Sequence, residues 1–92
     1  DPRARGRAVS ADARLIAAVE AALRRRFGAT SAVVRCADYR GVWSAIGHVT
    51  RDDGRLTFQP TTKHTRKRDA VRSVAIVAGL TDADLEGYEV AP

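Results

Sequence analysis

The residues best suited to chemistry lie in the stretch TTKHTRKRDAVRS, residues 61–73. Lys63, Arg66, Lys67, Arg68 and Arg72 crowd there, opposed only by Asp69. Ammonium and guanidinium groups at such density suit phosphate: they make charge-assisted hydrogen bonds to its oxygens. On a polyanion they also release condensed counterions. The run leads into an apolar stretch with helical spacing, so its cations fall at a helix start. Unpaired N–H groups and the positive end of the helix dipole favour an anion at that position. The same dipole disfavours cations. Acids stand at the other two predicted helix starts, Asp12 and Asp82. A local rule broken at one start and obeyed at two points to a binding site there. The competing explanation is an ordinary solvated charge run. These five cations are the expected nucleic-acid-binding set.

Two histidines are the candidates for acid–base work, His48 in a predicted strand and His64 inside the cationic cluster. Imidazole titrates near neutrality, as cleavage of RNA requires. A lone strand histidine is more often a surface or packing residue, so binding is expected rather than catalysis. Two His and one Cys at wide spacing form no zinc set. No glycine-rich phosphate loop is present. Neither metal nor cofactor is expected. Cys36 reads as a small buried hydrophobe. Trp43 is expected in the core, and Tyr39 could stack on a base.

The 92-residue chain has room for one domain of modest core. Its apolar and charged fractions, 45% and 29%, are those of an ordinary soluble domain. It has no long apolar run for a membrane and no secretory leader pattern. Its single cysteine fits a reducing, cytoplasmic setting. It opens at Asp1 rather than Met, as expected of a processed form or a piece of a longer protein. The net charge of +5 is uneven. Residues 1–29 and 61–80 are strongly basic, 30–60 nearly neutral, and 81–92 acidic. Such a balance favours a polyanionic partner.

Several elements must position these residues. Residues 1–9, rich in Arg and without periodicity, read as a flexible basic arm. Ser10 caps a helix with an apolar stripe through Leu15, Val19, Ala22, Leu23 and Phe27, ended by Gly28. Glu20 and Arg24 have the spacing of a helical ion pair. Three strands follow near 31–39, 42–50 and 55–60, punctuated by Arg40-Gly41 and Asp53-Gly54. A second helix runs from about Arg68 to Ala78 and stops at Gly79-Leu80 in a Schellman end. Thr81 opens a short helical turn. The expectation is an α+β fold of αβββα order: a three-stranded antiparallel sheet with two helices on one face and the other face open. The domain is expected over 10–87, with a tail at 88–92.

Two families share this order. KRDAVRSVA, with Lys67, Arg68, Ala70, Val74 and Ala75, resembles the motif that opens the second helix of double-stranded RNA-binding domains. Val71 stands where that motif has a further Lys, with Arg72 one position along, and the family's G-P-x-H loop is absent. The resemblance implies that these cations grip duplex phosphates and read shape. Gly47-His48, Asp53-Gly54-Arg55, Pro60, Val71-Arg72-Ser73 and the run from Ala78 to Leu85 are similar to HicA-type toxins, small ribonucleases of related fold. That likeness implies a metal-independent ribonuclease using His48 or His64, with an antitoxin covering the basic face. A third reading is a protein-interaction domain, in which the acids of 82–89 dock on the basic face of another copy and give an oligomer.

Overall fold

The computed structural model describes residues 10–85. The basic arm at 1–9, residues 86–87 and the tail at 88–92 lie outside the described residues. The element order is α1 (Ala11–Phe27), β1 (Ser31–Tyr39), β2 (Val42–Arg51), β3 (Gly54–Phe58) and α2 (Lys67–Val77). The strands form one antiparallel sheet in the order β1-β2-β3. The α+β fold of αβββα order is therefore observed.

Local chemistry accounts for the ends of α1. The Ser10 hydroxyl accepts the Ala13 N–H at 3.0 Å, and Gly28 leaves the helix in the left-handed region at φ 59°. The end of α2 is the expected Schellman pair: Leu80 N–H donates to Ala75 C=O at 2.9 Å and Gly79 N–H to Ile76 C=O at 3.0 Å. At the first hairpin Arg40 and Gly41 both take positive φ, 53° and 80°, in a tight two-residue turn. The Asp38 carboxylate accepts the Gly41 N–H there. The second hairpin differs from expectation. Its turn residues are Asp52 and Asp53, and Gly54 already pairs with Arg51 as the first residue of β3.

Period-two alternation divides the sheet into two faces. Ala32 and Val34 of β1 and Ala45 and Val49 of β2 are buried under the helices. Leu15, Val19, Ala22 and Leu23 of α1, with Ala70, Val71, Val74 and Ala75 of α2, close this core from above. Each fully buried Leu or Val contributes about 1.5–3 kcal/mol. Both helices thus cover one face, as predicted. Gly47 permits the approach of α2: a Cβ there would stand 2.8 Å from Val74 Cγ1. Phe27 and Phe58, with ring centroids 5.2 Å apart, pack at the edge of the core.

Glu20 serves the sheet. Its Oε2 accepts the Val34 N–H at 2.9 Å, from the outer edge of β1. A carboxylate on a free strand edge satisfies a donor that would otherwise invite another strand. The C-terminal turn is anchored by Leu85, which is 1% exposed. There the Thr81 N–H and hydroxyl both donate to Asp84 Oδ2, at 2.7 and 3.0 Å. These bonds hold the Asp84 carboxyl below the ordinary carboxylate range, the backbone N–H contributing most. Arg25 reaches from the end of α1 to the Asp84 carbonyl at 2.8 Å. The arginines closing α1 therefore complement the helix dipole, and Arg25 ties down the turn at 81–85.

Candidate nucleic-acid interface

β3 leaves the ladder after Phe58, which pairs with Gly47. The chain rejoins β2 at His64, which exchanges backbone hydrogen bonds with Trp43 at 2.6 and 3.0 Å. Residues 59–63 thus span the stretch that β2 covers with residues 44–46. The extra length bulges outward. The third strand, expected to reach residue 60, thus ends at Phe58 and is resumed by a single pairing at His64, which fixes where each predicted cation goes.

The five cations do not form one cluster. Lys63 sits on the bulge and lines hollows with Tyr39, Val42 and Ser44 on the open side of the sheet. Arg66 is the N-cap residue of α2, extended at φ −124°, ψ 139°, and makes no side-chain capping bond. The Lys67 ammonium lies 5.6 Å from the Trp43 ring centroid, a cation–π contact that explains how a cation is tolerated at a helix start. Arg68 is exposed. Arg72 is largely inside: its side chain is 20% exposed, and one guanidinium N–H group donates to Asp69 Oδ1 at 3.3 Å. The Arg72 Nε atom is buried and has no hydrogen-bond partner among the described residues.

Arg68 and Arg72 line a small cleft with Ala11, Asp12 and Leu15 from the first turn of α1. The starts of both helices therefore converge on the same spot. First-turn N–H groups, two guanidinium groups and two dipole ends favour an anion there. Asp12 opposes them from the α1 side. Asp69 neutralises part of Arg72, so at the α2 start the exposed members of the predicted set are Arg66 and Arg68, with Lys67 half-buried beside them; Lys63 is exposed on the other face.

The two histidines lie on opposite faces. His48 shares the open face with its cross-strand neighbour Thr57, whose hydroxyl is 3.3 Å from Nδ1. His64 pairs with Trp43 and so projects toward the helix-bearing face, its Nε2 3.1 Å from the Thr62 hydroxyl. Separated by the sheet, they cannot serve one scissile bond as an acid–base pair. Cys36 is half-buried against the core, and burial raises its thiol above the ordinary value despite Lys67 nearby. A thiol so placed is a poor nucleophile. Among the described residues no group of His, Cys, Asp and Glu could hold a metal ion. No described helix is long and apolar enough to cross a membrane.

Trp43 is half-buried and packs on the core, whereas Tyr39 is 64% exposed. The residues missed in the sequence are Arg35 and Arg55, both exposed on the open face. Their visible mark was parity: Arg35 alternates with the buried Val34 and the half-buried Cys36. No known family model, curated protein or solved structure matches the chain.

Proposed function

We propose that this domain binds nucleic acid, structured RNA in preference, by holding backbone phosphates against the start of α2. The observation that carries the reading is the uncapped start of α2. Arg66 offers no side-chain cap, and Lys67 and Arg68 follow where acids would stabilise the helix. Phosphate oxygens would accept the free N–H groups and neutralise these cations together. Phosphate contacts position a protein without reading bases, so the affinity is set by charge and shape.

The test is a salt titration of binding to RNA and DNA duplexes. The logarithm of affinity should fall linearly with the logarithm of salt concentration, with a slope of about −0.9 per phosphate neutralised. Replacing Arg66, Lys67 and Arg68 together by Gln should reduce the slope by about three units. Absence of binding at low salt, or a slope unchanged by the triple replacement, refutes the reading.

A further inference from the structure

The open face of the sheet holds a second surface, on the side away from the helices. Four adjacent hollows cross it and run together, because neighbouring ones share Arg35, Ser44 or Lys63. The central one is an open hollow of about 570 Å³. Gln59 and Pro60, at the start of the 59–63 bulge, form part of its lining.

The chemistry of this groove has one sign. Arg35, Arg55 and Lys63 line it, and among the described residues none of the four linings contains Asp or Glu. Its floor is aliphatic: Val33 is 40% and Val42 41% exposed. At one end stands Tyr39, 64% exposed, with the Arg40 guanidinium 5.3 Å from its ring centroid. The Ser44 hydroxyl and the Gln59 amide border the floor. From Val33 to Tyr39 the strand extends about 20 Å, and base-stacking sheets of similar reach take two or three bases.

We infer that this face receives a single-stranded polynucleotide, its bases laid on the aliphatic floor and Tyr39 and its phosphates along Arg35, Arg55 and Lys63. A duplex does not fit the description, because its bases are stacked on one another and cannot lie on the sheet. A second copy does not fit either: stacking two such faces opposes Arg35 and Arg55 with their own kind, on a chain of net charge +5. An acidic protein segment would satisfy the charge but leaves the exposed ring beside Arg40 without a use. The inference shares its ligand chemistry with the proposed function but uses the opposite side of the sheet, so either can fail alone.

The experiment compares two probes by fluorescence anisotropy: a labelled oligouridylate of about eight nucleotides and a labelled blunt RNA duplex. Arg35→Glu combined with Tyr39→Ala should weaken the single strand about tenfold or more and leave the duplex nearly unchanged. Tyr39→Phe, which keeps the ring, should retain wild-type affinity for the single strand. Arg68→Glu should do the reverse of the double variant, weakening the duplex and sparing the single strand. Circular dichroism checks the fold, and Arg35→Ala replaces the double variant if that variant is unfolded. The inference is overturned if oligouridylate does not bind at low salt. It is equally overturned if the open-face variants leave its affinity unchanged, if Arg68→Glu costs the single strand as much as the double variant does, or if an acidic amphipathic peptide takes the face and oligouridylate does not.

Discussion

The two helices begin in opposite ways. α1 starts with the Ser10 cap and an acid, Asp12, in its first turn. α2 starts with Arg66, which caps nothing, followed by Lys67 and Arg68, with Asp69 as the only acid of its first turn. Both helices contribute residues of their first two turns to one cleft. The contrast is one of capping and first-turn charge. α1 is arranged for its own stability. The α2 start forgoes a capping bond and favourable dipole charge, and partial relief comes from Trp43 under Lys67 and from Asp69 beside Arg72.

The sharpest break in this comparison comes from reversing charge at α2. Arg66→Glu, Lys67→Glu and Arg68→Glu together should weaken duplex RNA binding by about 100-fold, or about 2.7 kcal/mol, in anisotropy titrations. The same variant should melt at a higher temperature, since acids suit a helix start. A lower melting temperature would mean that these cations serve the fold.

Gly47 tests whether both starts depend on the same packing. Gly47→Ala forces a Cβ into Val74 Cγ1 at 2.8 Å and should cost about 1–3 kcal/mol in urea denaturation. It should weaken duplex binding only through lost folding. A selective loss of binding in a fully folded variant would show that the α2 start is placed by Gly47 to a tolerance finer than packing alone requires.

The caps themselves should respond with opposite signs. Ser10→Ala removes the bond to Ala13 N–H and should cost about 1 kcal/mol, whereas Arg66→Ser supplies a missing cap and should add up to about 1 kcal/mol. Thermal melting resolves this, since about 1 kcal/mol shifts the midpoint by about 4–8 °C in a domain of this size. Equal signs would erase the distinction between the two starts.

The smallest effect concerns the third acid-bearing turn. Asp84 is held below the ordinary carboxylate range by the Thr81 N–H and hydroxyl. A depressed folded value contributes stability that is present above the unfolded value, about 3.9, and is lost as pH falls through the folded one. Protection of the Thr81 amide, the slowing of its exchange relative to an unstructured chain at the same pH, should therefore fall below about pH 4, and Asp84→Asn should abolish that dependence.

Much of the fold was legible because its determinants are local. Ser10, Gly28, Gly79-Leu80 and Arg40-Gly41 act within a few residues of themselves, and the apolar stripes of both helices repeat at a period that only one face can satisfy. The split of residues 61–72 was not legible. Charge along a chain says nothing of which side of a sheet each residue meets. The bulge at 59–63 turns Lys63 to the open face, and the His64–Trp43 pairing then returns the chain to the edge of β2 before α2 begins. Glu20 was hidden for the same reason. Its helical spacing suits Arg24, yet the packing of α1 across β1 gives it the Val34 N–H.

The sequence by itself determined the element order, the helix ends, the buried stripes and the excess of positive charge, because propensity, capping and periodicity are properties of short segments. Only the tertiary structure decided which charges share a surface. It divided one basic run between two faces, set His48 and His64 on opposite sides, converged two helix starts on one cleft, and assembled Arg35, Arg55 and Lys63, distant along the chain, around a groove with no acid among its described lining residues. The physical reason is that side-chain direction in a sheet follows register and bulges, and these are set by long-range pairing.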